Sequence, residues 1–443
     1  MQLVRKSLLY ISGLLLVVML FAIMGGFTSI WQVTAVGFCV AFSLGMGSFE
    51  KWKGYQYTAW IMTAVVAGMI YPEAFLQWGD FDLRNKWVIL FVVQGVMFGM
   101  GIQMSLRDFS NLATTGKGVL VGLLSQFSIM PLIGFMLTQI FDFDPEIAAG
   151  IILMGACSSG LASNVMVYLA RANLVLSVTV TAMATMLAPL MTPFWMKTLA
   201  GTLIDIEFIS MMMSIIKIVL VPIGAALLHD FLKHAPTRYK SKIYGVAAFV
   251  AVYLAALPLG LWEYFSNAFT APALQSLEIF TFFMGAIVFG VLYHVATRYI
   301  RRLDQLMPYI SMFGIVYFTT VTTAAGRDNL LQVGVLLFMA SVIHNGLGYF
   351  FGYWLSRLLG LDVNSARSMA LEVGLQNGGM ASGLAGSMGK LGTVGLAPAV
   401  FSPWMNISGS ILANYWRKKS LKEEAEEEEQ EAKEKIKEPI SAE

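Results

Sequence analysis

Residues 371–380 read Leu371-Glu372-Val373-Gly374-Leu375-Gln376-Asn377-Gly378-Gly379-Met380. They lie well inside the apolar run 364–388, long enough to cross a bilayer at the ~20 residues a spanning helix needs. A carboxylate placed at mid-membrane costs ~2.5–3.5 kcal/mol on insertion scales, so Glu372 is read as functional. Gly374, Gly378 and Gly379 so close together are poor helix chemistry. The segment is expected to unwind and free its carbonyls. At membrane depth such backbone is tolerated only where it lines a cavity or is buried in protein.

A second interruption occurs earlier, within the run 146–169, as Gly155-Ala156-Cys157-Ser158-Ser159-Gly160-Leu161-Ala162-Ser163-Asn164. Small residues alone usually mean tight helix packing. Two interrupted spans at corresponding places in two halves of a chain instead point to a transporter binding site. The halves 1–200 and 201–443 would each hold seven helices, and the interrupted span is the second-to-last of each. An odd number per half inverts the second half relative to the first. No residue-level identity between the halves supports the repeat, which rests on pattern.

The rest of the chain agrees with a membrane location. Of 443 residues, 57% are apolar before Gly is counted and 13% are charged, about half the usual ~25% of soluble proteins. Such a supply cannot cover a water-soluble surface, which excludes a soluble enzyme, a disordered chain and a nucleic-acid binder. Cys39 and Cys157 lie in apolar runs, so no disulfide framework is implied. Fourteen candidate spans can be marked: 7–24, 31–48, 57–76, 87–105, 118–139, 146–169, 173–198, 208–231, 243–265, 274–297, 307–325, 330–356, 364–388 and 393–416. The alternating strands of an outer-membrane barrel are absent, so the fold class is an all-α polytopic membrane protein.

Loop charges set the orientation. With this count, Arg84, Lys86, Lys197, Arg327 and Lys390 fall on one side. Lys217 falls inside a span, near whose outer end it is expected to snorkel. All other Lys and Arg fall on the side of the termini, so both termini are expected in the cytoplasm. The expected location is a bacterial inner membrane. Residues 417–443, with their run of glutamates from Glu423, form a charged tail that cannot enter the bilayer. Pro131, Pro189, Pro193 and Pro222 are expected to kink or end helices.

Within the spans the polar inventory is one of oxygen. Gln126, Ser163, Asn164, Ser177, Thr181, Glu372 and Gln376 offer hydroxyl, amide and carboxylate oxygens, with no thiolate or imidazole cluster. Such ligands suit hard cations, and a single carboxylate suits Na⁺ better than a divalent ion. Ser177 and Thr181, four apart, share a helical face. His-Glu-x-x-His, Gly-x-Ser-x-Gly and P-loop motifs are missing, which disfavours an intramembrane enzyme or an ATP-driven pump.

These residues also resemble a known family. Gln126-Phe127-Ser128-Ile129-Met130-Pro131, Ser163-Asn164-Val165-Met166-Val167-Tyr168-Leu169-Ala170-Arg171 with Asn173 and Ser177, Glu372 to Asn377, and Phe401-Ser402-Pro403-Trp404-Met405-Asn406-Ile407-Ser408-Gly409-Ser410 look like the bile acid:sodium symporter family. The likeness covers about 57–231 and 305–416. It implies an inverted-repeat transporter of ten helices, with a panel and a core in which the broken helices 146–169 and 364–388 cross. The panel would comprise 57–106, 207–231 and 305–326, and the core 116–200 and 330–416. The chain then carries two extra helix pairs, an accessory one in 1–50 and an inserted one in 240–300, expected to pack around the panel or at an oligomer contact.

The resemblance implies a first Na⁺ held by Ser163, Asn164, Ser177, Thr181 and Glu372. A second would be held by Gln126, Glu372, Gln376 and the backbone of Val373 and Leu375. Leu161, Ala162, Asn377 and Asn406 would face the organic anion: a bile acid, a keto acid or a pantoate-like acid. Both sodium ions would be transported, with no organic cofactor. Bacterial members often carry a Pro-Gly-Gly-Thr-like run where this chain has Cys157-Ser158-Ser159-Gly160-Leu161, and Leu161 removes a hydroxyl near the anion.

Overall fold

The computed structural model describes residues 2–49, 56–110 and 112–437. The chain is almost wholly helical, with one two-residue hairpin, β1 (Gln77–Trp78) against β2 (Phe81–Asp82). Its main helices are α1 (Gln2–Met24), α2 (Thr28–Met46), α3 (Gln56–Ile70), α4 (Lys86–Gly101) and α5 (Leu112–Ile140). Then come α6, broken into α6a (Pro145–Ala156) and α6b (Leu161–Leu169), and α7 (Leu174–Ala200), α8 (Phe208–His234), α9 (Thr237–Ala268), α10 (Ala271–Tyr299), α11 (Leu303–Ala325) and α12 (Arg327–Leu358). The last two are α13, broken into α13a (Val363–Gly374) and α13b (Gly378–Ser387), and α14 (Leu396–Lys437).

Every expected span falls on one of these helices. Among the described residues, nine are long and apolar enough to cross a membrane: α1, α2, α5, α7, α8, α9, α10, α11 and α12. Helices α3, α4 and α6a are apolar but shorter. The protein is an integral multi-pass membrane protein.

Several expectations are corrected. The prolines do not end their helices: Pro131, Pro189 and Pro193 lie inside α5 and α7. Three irregular turns lie near prolines: π-helical ones at Met196–Ala200 after Pro193 and Ile216–Leu220 before Pro222, and a kink at Leu257–Leu261 around Pro258. A proline removes a donor and crowds the carbonyl four residues back, which interrupts the regular hydrogen-bond ladder. At the third of these α9 is not one rod, since Gly260 takes φ 106°, a conformation that favours glycine. Lys217 is not at a helix end; it sits mid-α8 in a π turn, and its Nζ lies 2.9 Å from Glu278 of α10. Helix α14 continues through the tail to Lys437, because Glu, Lys and Ala are strong helix formers.

The extra pairs dock on their neighbours. Helices α1 and α2 form a hairpin, tied by Arg5 donating to the Gly47 carbonyl at 2.9 Å, and the pair meets α3 through Ser43 and Thr63 hydroxyls 2.9 Å apart. Helix α10 lies against α4, with Phe98 edge-on to Phe289 at 4.9 Å and to Tyr293 at 4.7 Å. The core is centred on α6a, whose Ile147, Ile151, Ile152, Leu153 and Met154 are fully buried.

Candidate functional site

The two broken helices meet back to back at their breaks. After Ala156 the chain turns extended at Cys157, and after Gly374 it does so at Leu375. The two extended pieces pair as a miniature antiparallel ladder. Gly160 N–H donates to the Leu375 carbonyl at 3.0 Å, and Asn377 N–H to the Ser158 carbonyl at 2.9 Å. The ladder satisfies backbone groups that the breaks expose far from water. A Cβ at Gly160 would meet the Gln376 carbonyl at 3.0 Å, so the crossing needs glycine there.

The breaks create four helix ends at one place. The C-terminal ends of α6a and α13a offer carbonyls, and the N-terminal ends of α6b and α13b offer N–H groups with positive partial charge. Asn377 caps α13b, its Oδ1 accepting from Met380 N–H at 3.0 Å.

On the carbonyl side lies Glu372, wholly buried. Its Oε1 accepts from the Ser163 hydroxyl at 2.7 Å and from the Ser177 hydroxyl, and its Oε2 from Thr181 at 2.8 Å. Asn164 Oδ1 accepts from Ser177 at 2.7 Å and Thr181 at 3.1 Å. Five residues from α6b, α7 and α13a thus converge: Ser163, Asn164, Ser177, Thr181 and Glu372. The sites on α7 are presented because Asn173 caps that helix, accepting from Leu176 N–H, while its Nδ2 reaches Ser365 of α13a at 3.0 Å.

A second polar group adjoins the same break. Gln126 of α5 donates to the Cys157 carbonyl at 2.9 Å and to Gln376 Oε1 at 2.7 Å, and Gln376 Nε2 donates to the Val373 carbonyl at 2.7 Å. Gln126 Oε1 is buried with no hydrogen-bond partner. The Leu375 carbonyl is engaged by the ladder. Among the described residues, the hydrogen bonds of Glu372 run to the first group and not to Gln126 or Gln376. The structure therefore gathers the first expected sodium set around the carboxylate. It joins Gln126, Gln376 and Val373 of the second without Glu372.

On the N–H side a cavity of about 340 Å³ opens between the breaks and α3, α4, α11 and α14. Leu161, Ala162, Asn377 and Asn406 all line it. No charged side chain among the described residues does. Its far wall is apolar, with Val96, Met100, Met312 and Ile315, and it reaches the exposed Gln103 beyond the end of α4. Asn377 Nδ2 has Met100 sulfur at 3.9 Å as its partner, a weak acceptor that a stronger one would displace.

Sequence reasoning missed this far wall. Asn345 of α12 donates to the Gly374 carbonyl at 2.6 Å, bracing the break from behind. The adjacent His344 is buried, against the Met130 carbonyl at 3.2 Å. The wall residues carry no chemical signal of their own in the sequence.

The far end of the cavity is closed by close packing. Glycines on one face of α13b let it lie against α4: a Cβ at Gly379 would meet Val96 at 3.3 Å and one at Gly386 would meet Ile89 at 2.7 Å, with Gly383 against Val93 between them. Beyond, Lys390 pairs with Glu146 at the start of α6a.

This architecture has relatives. Residues 88–261 match the Sodium Bile acid symporter family. An uncharacterized sodium-dependent transporter of Bacillus subtilis is 31% identical over 85% of this chain and 95% of its own length. The chain belongs to the sodium bile acid symporter family. Members of this family are sodium-coupled transporters, not enzymes, and sodium is a transported ion. A probable chloroplastic sodium/metabolite cotransporter of Arabidopsis thaliana is 27% identical over 85% of this chain and 78% of its length. The human ileal sodium/bile acid cotransporter is 38% identical, over 24% of this chain and 30% of its own.

Proposed function

We propose that this symporter carries a small organic anion with two sodium ions by alternating access. The observation that carries the reading is the division of labour at the crossing. Carbonyl ends and a buried carboxylate gather on one side, and two helix N-termini open into a cavity on the other. Discontinuous helices in transporters use this polarity, N-terminal ends toward anionic substrate and C-terminal ends toward the coupling cation.

Ser163, Asn164, Ser177, Thr181 and Glu372 hold the first ion. The second sits with Gln126, Gln376 and the Val373 and Leu375 carbonyls, and draws Glu372 toward it. The anion's carboxylate meets the N–H groups at Leu161, Ala162 and Gly378 with the amides of Asn377 and Asn406. Its apolar body lies on Val96, Met100, Met312 and Ile315. A cavity of about 340 Å³ is near the lower end of the ~300–1,000 Å³ usual for ligand pockets, which favours a small branched or keto carboxylate over a steroid acid. With no basic side chain among the described residues that line the cavity, the sodium ions supply the countercharge, so anion binding depends on sodium.

Helices α3, α4, α8 and α11 act as the panel, and α5, α6, α7, α12, α13 and the first turns of α14 as the core. The core rocks against the panel to move the cavity from the terminal, cytoplasmic side to the other. The test is uptake of a carboxylate series into proteoliposomes, each with Na⁺ and with K⁺. Small carboxylates should enter with Na⁺ alone. Uptake that ignores the cation would overturn the reading.

A further inference from the structure

A second concavity, of about 740 Å³, lies between α12 and α14. Helix α14 turns Ser402, Met405 and Asn406 to the substrate cavity and Trp404, Ser408, Ile411 and Tyr415 to this groove. Its sides are strongly exposed apolar groups: Phe350 54%, Trp354 53%, Ile411 57% and Tyr415 62%. In a membrane-spanning chain such surface meets lipid. Gly346 lines the groove beside open space, since a Cβ there would meet nothing within 4 Å.

Three features give the occupant its chemistry. First, one end is rimmed by aromatics, with Tyr353 and Trp416 stacked at 6.1 Å and Trp354 edge-on to Tyr353 at 5.4 Å. Such belts mark the headgroup level. Second, the helical register continues each lining stripe into a cation: Tyr353 is followed one turn on by Arg357, and Ile411 and Tyr415 by Lys418, with Arg417 beside it. Arg357, Arg417 and Lys418 are all exposed. Basic clusters just outside a span attract anionic headgroups. Third, the floor is polar. The Tyr349 hydroxyl lies 3.0 Å from that of Ser408, Ser408 bonds to Asn345 Oδ1, and Asn345 Nδ2 holds the Gly374 carbonyl at 2.6 Å.

We infer that this groove is a binding site for an anionic phospholipid of the leaflet on the side of the termini. One acyl chain fills the cleft beside Gly346, and the phosphate sits at Arg357 and Lys418. The chain presses on the Tyr349–Ser408–Asn345 relay, so occupancy stiffens the break in α13 from the face opposite the transport site. This site is separate from the cavity and does not depend on which anion is carried.

The test is native mass spectrometry of the full chain from mixed micelles holding equal phosphatidylglycerol and phosphatidylcholine, with thermal stability read in parallel. The wild type should retain phosphatidylglycerol in preference to phosphatidylcholine by on the order of ten-fold, as two basic residues beside an anionic headgroup predict. It should also melt higher when phosphatidylglycerol is present. Gly346→Leu should retain neither lipid and lose the thermal increment. Arg357→Gln with Lys418→Gln, which leaves the cleft intact, should keep lipid but lose the preference, and this arm stands even if the cleft variant misfolds. Equal retention of both lipids by the wild type, or an unchanged preference in the double charge variant, would overturn the assignment. So would an oligomer that Gly346→Leu dissolves, because a second copy would then be the occupant.

Discussion

Replacing Glu372 by Gln separates the charge at the crossing from its shape. The side chain is fully buried and accepts from Ser163, Ser177 and Thr181. Glutamine keeps the volume and one acceptor oxygen, but its amide nitrogen cannot accept from a hydroxyl, so one hydrogen bond is lost at about 1 kcal/mol. Removing a buried charge relieves desolvation in return, so folding should survive. Sodium binding should not. A unit charge about 4 Å from a cation at an effective dielectric of ~20 contributes ~4 kcal/mol, and at 1.4 kcal/mol per decade the apparent sodium affinity should fall by about three orders of magnitude. The assay is sodium-dependent thermal stabilisation of the purified protein, alongside sodium-stimulated uptake, with monodispersity as the folding control. A well-folded E372Q protein with wild-type half-saturation by sodium would refute the idea that this carboxylate is the countercharge.

Gly383→Leu would place a side chain into Val93 of α4, where α13b now closes the far end of the cavity; transport should stop while sodium-dependent stabilisation persists, and retained uptake would show that this contact does not gate. Lys217→Gln and Glu278→Gln, alone and together, should give a coupling energy of up to about 1 kcal/mol by double-mutant cycle, the range for partly exposed pairs; zero coupling would mean aromatic packing alone holds α10. Asp362 caps α13a outside the apolar span by accepting from Ser365 N–H at 2.9 Å. Burial alone would raise its carboxyl, but the Ser365 hydrogen bonds outweigh it and leave the group below its ordinary value. A depressed folded value means that its stabilisation is full above the unfolded value near ~3.9 and is lost as pH falls through the folded one. Asp362→Ala should therefore cost about 1 kcal/mol near neutral pH, with the gap to wild type closing in acid, read by melting curves across pH.

What the sequence made legible was chemistry that stands out against an apolar background. Glu372, the paired amides and the glycines at both breaks are conspicuous because lipid tolerates none of them without a partner. The helices showed for the same reason. The relations between elements stayed hidden. Nothing in the local sequence tells that Met100 and Met312 wall a cavity while other methionines fill the core, or that Lys217 has for a partner Glu278, 61 residues on with the whole of α9 between them. Pro131, Pro189 and Pro193 lie inside helices rather than at their ends, because a long buried helix tolerates a locally broken hydrogen-bond ladder where neighbouring helices hold it. The second sodium group was read with Glu372 as a member; among the described residues the hydrogen bonds of Glu372 run to Ser163, Ser177 and Thr181.

The three hydroxyls around Glu372 have a consequence for how the carrier responds to voltage. A hydroxyl has one hydrogen and two lone pairs, so Ser163, Ser177 and Thr181, all within hydrogen-bond reach of Glu372, can donate to the carboxylate or, rotated, turn a lone pair to a cation beside it. Three side-chain rotations, with no movement of backbone, exchange one arrangement for the other. The same three groups therefore solvate a buried negative charge in either arrangement. Under the proposed load of two sodium ions and a monovalent anion, Glu372 and the cargo sum to zero and feel no net force from membrane voltage. Without that load Glu372 contributes a negative charge at the crossing, which an inside-negative potential drives outward. Voltage then acts on the return stroke, setting how often the carrier is reset rather than how tightly it holds its cargo.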